Sequence, residues 1–118
     1  GIRDTSVTGV QTCALPIFFT GASASKKGFA NSSVFAMGKF GLRGLAQSLA
    51  RELHPKNIHI CHFIIDGIIS KKDISENLNN EHDKLDPDEI AKNYLNIYLQ
   101  EKNCWTWEIE LRPWLEKF

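Results

Sequence analysis

KFGLRGLAQSLARELHPKNIHICHFIIDG, residues 39–67, changes its hydrophobic period half-way along. In the first half Leu42, Leu45, Ala46, Leu49, Ala50 and Leu53 recur at helical spacing and gather into one apolar stripe. His54-Pro55 stops that helix, because proline disfavours helical geometry in the residue before it. In the second half, residues 57–65 form a β-rich run with apolar side chains at odd and even positions alike, ending at Asp66-Gly67. A strand apolar on both faces belongs inside a parallel sheet, and the helix before it is then a crossover. Gly38, Gly41 and Gly44 are discordant, since each costs about 1 kcal/mol against alanine in a helix. Either another backbone comes close to them or the helix is weak there.

Upstream, Phe18-Phe19-Thr20 is a short apolar remnant ending at Gly21, which reads as the tail of a buried strand. Residues 21–33 are small, polar and Gly/Ser-rich, hence a loop, with Ser32 or Ser33 able to cap the helix that follows. Downstream, residues 70–85 carry no period and read as a long loop that admits one short helical turn. Asp86-Pro87-Asp88-Glu89 is a helix start, with an Asp cap, Pro at the first position and Glu at the third. Ile90, Tyr94, Ile97 and Tyr98 form its buried stripe. Trp105, Trp107, Ile109 and Leu111 alternate with polar residues as a period-2 strand. The order strand–helix–strand–helix–strand describes an α/β fold, half of a doubly wound parallel sheet.

Composition narrows the function. The 118 residues suit one domain or part of one. With 14 Lys+Arg against 14 Asp+Glu, there is no electrostatic case for nucleic acid or an acidic membrane surface. Lys26-Lys27 and Lys71-Lys72 are too short to make a basic patch. No run reaches the ~18 apolar residues that a membrane span needs. Cys13, Cys61 and Cys104 are odd in number and far apart, which fits neither a disulfide framework nor a zinc site. A reduced, soluble, cytoplasmic protein is expected, with no nucleic-acid or membrane partner.

The first seventeen residues, GIRDTSVTGVQTCALPI, fit neither a signal peptide nor a domain edge. They resemble the in-frame translation of a sequencing-library adapter. Residues 1–4 match its outer arm, Thr5-Ser6 a sample index, and residues 7–17 its inner arm. On that reading residues 18–118 are the biological part, a truncated C-terminal portion of a longer chain, and Cys13 has no role.

FFTGASASKKGFANSSVFAMGKFGLRGLAQSLARELHPKNIHICHFIIDG, with LDPDEIA and WTWEIELRP further on, resembles the short-chain dehydrogenase/reductase family. The resemblance implies a Rossmann-like fold, an NAD or NADP cofactor, and hydride transfer to or from a small carbonyl or alcohol substrate. It also implies a homo-oligomer in the parent protein, the glycine-lined helix packing against a twin subunit. The family's Tyr-x-x-x-Lys falls on Phe35-Ala36-Met37-Gly38-Lys39, a spacing that puts both end residues on one helix face. Lys39 is thereby the expected ribose contact, while Phe35 stands in the catalytic tyrosine's place with no proton to give and is expected as an apolar wall of the substrate pocket. The family's serine, thirteen residues earlier, falls on Ala22, with Ser23 and Ser25 close enough to serve as shifted replacements. Its Pro-Gly pair beside the nicotinamide reads Asp66-Gly67, so Lys39, Gly67 and Ile68 are the expected cofactor contacts. The Gly-rich phosphate loop and the family's active-site Asn belong upstream of Phe18.

Each of these residues has a plainer reading. Lys39 also suits a solvated helix lysine, Phe35 the core, and the serines loop hydrogen bonding. Asp66, just past the carboxyl end of a strand, lies where open α/β sheets bind ligands and is a candidate acid–base group. His54, His59, Cys61 and His62 do not assemble a metal site, because strand alternation sends His62 to the opposite face from His59 and Cys61. Three functions follow: an NAD(P)-dependent oxidoreductase in which Ser23, Asp66 or water replaces the tyrosine, a cofactor-binding pseudoenzyme, or a structural, oligomer-forming module. The chain by itself is expected to be inactive and to hold no cofactor tightly, because the half that binds pyrophosphate is absent. Its bare sheet edge and core should make it aggregate.

Overall fold

A computed structural model describes residues 15–71 and 83–118. The expectations for residues 1–14, Cys13 included, and for the loop over 72–82 lie outside the described residues. Three parallel strands form the sheet, β1 (Leu15–Ala22), β2 (Ile58–Ile65) and β5 (Glu108–Leu111), in the order β1-β2-β5. Helix α1 (Ser33–Leu53) crosses from β1 to β2, and α2 (Pro87–Tyr98) lies between β2 and β5. A second small pair, β3 (Ile68–Ile69) and β4 (Lys84–Leu85), also runs parallel. The α/β parallel architecture expected from the period change is the one observed.

The central strand β2 alternates its side chains between two cores. Cys61, Phe63 and Ile65 point to the α2 side, where Ile97, Leu85, Ile90 and Tyr94 cover them. Ile60 points the other way, against Ala46 and Ala50 of α1. The helices therefore sandwich the sheet, and burial on both faces of β2 follows from its period-less run of apolar residues. Tyr94 stacks on Phe63 with ring centroids 3.6 Å apart, and its hydroxyl shares a 2.6 Å hydrogen bond with Thr20. Asp86 caps α2 by accepting the Asp88 N–H at 2.8 Å, as its sequence predicts.

Four expectations need correction. The first strand starts at Leu15 rather than Phe18, because Ile58, His59 and Ile60 of β2 offer backbone partners to Leu15, Pro16 and Ile17. β2 itself starts at Ile58, since Asn57 takes a left-handed conformation (φ 66°) that closes the turn after α1. The last strand is shorter than the alternation predicts. Trp107 packs with the α1-side core while Ile109 packs with the α2-side core, so the alternation breaks before Glu108. Finally, Tyr98 is exposed rather than buried, although Ile97 beside it is buried.

Candidate functional site

The carboxyl ends of the three sheet strands meet in a ring of polar side chains. β1 ends at Ala22, and a 3-10 turn over Ser23–Ser25 follows at once. That turn aims Ser23 at the end of β2, where its hydroxyl donates to Asp66 Oδ1 at 2.5 Å. The other carboxylate oxygen, Oδ2, accepts from Arg112 Nε at 3.1 Å. Arg112 also donates through Nη2 to Glu110, and Glu110 accepts from Lys26. Lys26 closes the ring, its backbone N–H donating to the Ser23 carbonyl at 3.1 Å.

Asp66 is 5% exposed and therefore nearly out of water. Burial alone would push its carboxyl up, but the hydrogen bonds from Ser23 and Arg112, with the charges of Lys27 and Arg112, outweigh it. The carboxyl is held below its ordinary range, so it is ionised at neutral pH and accepts the Ser23 hydrogen bond.

Ser23, Gly67 and Ile68 line one open cavity of about 570 Å³, together with Asp83, Leu115, Glu116 and Lys117. Gly67 adopts φ 152°, and a Cβ there would lie 2.8 Å from Pro113 Cδ, so glycine is required by the backbone and by its neighbour. Lys39 and Phe35 lie outside that lining. Lys39 Nζ donates to the Thr20 carbonyl at 3.1 Å and sits 5.8 Å from the Phe35 ring centroid. Phe35 is 55% exposed, so it forms neither core nor a closed pocket wall among the described residues. Ser25 is fully buried and accepts the Ala22 N–H at 3.1 Å, which makes it a brace for the turn. Of the two serines it is Ser23 that reaches the cavity.

An ammonium has three donors, and the bond to Thr20 uses one, so Lys39 retains donors for ribose hydroxyls. Ile68 is 70% exposed and offers an apolar surface beside Gly67.

A second network braces the α1 side. Arg43 grips Glu108 through Nε at 2.6 Å and Nη2 at 3.0 Å, and Glu108 Oε1 also lies 3.1 Å from His62 Nδ1. Burial would raise the Glu108 carboxyl, but the bonds from Arg43 and His62 lower it overall. The histidines divide as strand alternation predicts. His59 stacks on Trp105, centroids 4.5 Å apart, on the face opposite His62, and its Nε2 lies 2.9 Å from the Thr106 carbonyl. His54 Nε2 accepts the Ile60 N–H at 3.1 Å. Among the described residues no three His, Cys, Asp or Glu side chains cluster as metal ligands. Nor, among them, is any helix long and apolar enough to cross a membrane.

Arg112 and Glu110 escaped the sequence reading. The only local signal was their two-residue spacing at the end of a strand, which puts them on one face without saying what they meet.

No protein-family model matches the chain, and no curated protein does. Solved structures do match, two dehydrogenases among them. A short-chain dehydrogenase from Rhodopseudomonas palustris is 40% identical, with a TM-score of 0.66, over 93% of this chain and 43% of that one. An alcohol dehydrogenase from the archaeon Thermococcus sibiricus, complexed with 5-hydroxy-NADP, matches in fold at 16% identity, with a TM-score of 0.68. That match covers 86% of this chain and 43% of the archaeal one. The chain thus spans less than half the length of either structure. With a parallel sheet sandwiched by helices and 40% identity along nearly its whole length, it belongs to the short-chain dehydrogenase/reductase family.

Proposed function

We propose that this chain is the C-terminal part of an NAD(P)-dependent oxidoreductase acting on a small alcohol or carbonyl compound, in which the Ser23–Asp66 pair handles the substrate proton. The observation that carries this reading is the 2.5 Å bond from Ser23 to Asp66 beside a cavity that Ser23 itself lines. Phe35 has no proton to give, so a proton path must run through another group.

As hydride leaves the bound alcohol, its hydroxyl proton passes to the Ser23 oxygen while Ser23 passes its own proton to the ionised Asp66 in the same step. The substrate's C–H bond breaks as its C=O bond forms, and the nicotinamide, when bound, supplies the acceptor for that hydride. In the reverse direction Asp66 returns the proton through Ser23 to the carbonyl oxygen. Lys39, Gly67 and Ile68 orient the cofactor end. The partner in the assembly is a second copy, seated on α1. Val34 and Met37 on that helix are 76% and 70% exposed, and Gly38, Gly41 and Gly44 leave open space beside them.

The test is NAD(P)H formation by the full-length gene product with a panel of small alcohols. Ser23→Ala and Asp66→Asn should each lower kcat by about 10²–10⁴-fold while dinucleotide affinity is retained. Wild-type rates in both variants overturn the reading. A second reading, a cofactor-binding pseudoenzyme, draws on Phe35 and would show as dinucleotide binding without hydride transfer by the wild type.

A further inference from the structure

We infer that Arg112 is the positioning residue of the Ser23–Asp66 pair, fixing the Asp66 carboxylate from the end of β5. The inference rests on reading that pair as the proton-handling group and names what keeps it in working geometry. Asp66 has two oxygens, and each has one strong partner: Ser23 on Oδ1 and Arg112 on Oδ2. With both oxygens held, the carboxylate plane cannot rotate Oδ1 away from Ser23.

Arg112 is itself fixed on three sides. Nε meets Asp66, Nη2 meets Glu110, and the Phe118 ring covers the guanidinium, 3.9 Å from ring centroid to Cζ. A planar fork satisfies two carboxylates on different edges while one face stacks on an aromatic ring, which an ammonium cannot do. The ring of side chains is not equally strong all round. The side chains of Lys26 and Glu110 are 44% and 27% exposed, so solvent screens their pair, whereas those of Arg112 and Asp66 are only 22% and 7% exposed. The Arg112–Asp66 link is the one that fixes geometry.

The charges acting on Asp66 are Arg112, just past the end of β5, and Lys27 from the loop after β1, with the Ser23 hydroxyl beside them and Glu110 on the far side of Arg112. Removing Arg112 takes away both a hydrogen bond and a cation, so Asp66 should gain its proton at higher pH.

The experiment uses the full-length product carrying Arg112→Met or Arg112→Lys, with Lys92→Gln on the exposed side of α2 as control. Two readouts are needed: the carbon-13 titration of the Asp66 carboxyl by NMR, and the acid limb of the pH–kcat profile. Arg112→Met should raise the Asp66 midpoint, move the acid limb upward with it, and lower kcat at least tenfold. Arg112→Lys should restore part of both shifts, and Lys92→Gln neither. An Asp66 titration and acid limb left at their wild-type positions by Arg112→Met overturn the inference. If the wild type transfers no hydride the oxidoreductase reading falls, while the carboxyl titration still decides the role of Arg112.

Discussion

At Gly21 the backbone passes between two buried polar side chains. A Cβ there would lie 2.4 Å from both His62 Nε2 and Ser25 Oγ, and 3.0 Å from His62 Cε1. Gly21→Ala must push the buried His62 ring or the turn that carries Ser23, at a cost of about 1–3 kcal/mol. Thermal unfolding should record that loss, together with a weakened Ser23–Asp66 bond. The carboxylates of the same region carry an acid sensitivity. Asp66, Glu108 and Glu110 all titrate below their ordinary values in the folded chain. Their stabilisation is complete above the ordinary carboxylate range, about pH 4, and is lost as pH falls through the lowered values. Denaturant midpoints should therefore drop steeply on the acid side, and Asp66→Asn should flatten part of that slope. The two described cysteines contrast as sharply. Burial first, with the charge of Glu108, pushes the Cys61 thiol up to about 12, whereas Cys104 is exposed. A thiol reagent at neutral pH should label Cys104 and spare Cys61 until the chain unfolds.

At the scale of elements, local patterns were legible and long-range meetings were not. β2 announced itself as a central strand because six of its eight side chains are apolar without alternation and need cover on both faces. Helix α2 announced itself through Asp86 and Pro87, whose effect on the backbone is local. The early part of β5 misled, because Trp107 turns to the α1 side, a choice set by the hollow beside Ala46 and Ala50 rather than by its neighbours in sequence. The β3–β4 pair escaped because two residues on each side are too few to show a period. The same limit applies to the site. Asp66 and Ser23 were legible as candidates from their places after strands, but their pairing with each other and with Arg112 joins three distant parts of the chain. Helix α1 supplies a prediction of its own. Gly41 and Gly44 have no atom within 4 Å of an added Cβ, so alanine at each should stabilise helix α1 by about 1 kcal/mol. If a second copy seats its backbone there, the same substitutions should lower the association constant in sedimentation experiments.

At the scale of the molecule, β1 is an edge strand whose outer side has no partner among the described residues. Leu15 and Ile17 on it are 67% and 42% exposed, and Phe40 and Leu45 on α1 are exposed as well. Such an edge invites pairing with another chain. The chain expressed alone should sediment as aggregates, and Ile17→Lys should raise the soluble fraction. Monomeric material with a cooperative melt would show that the described part is self-sufficient. The ladders of this sheet also set a timescale. Leu15 pairs with Ile58 and His62 with Glu108, all in parallel, so no pair of strands is joined by a hairpin. Each pairing must close a long loop before any contact rewards it, and such topologies fold slowly for their size. Until Glu108 arrives beside His62, the most apolar strand of the molecule stands open, and the race between closure and encounter with another chain is decided by concentration.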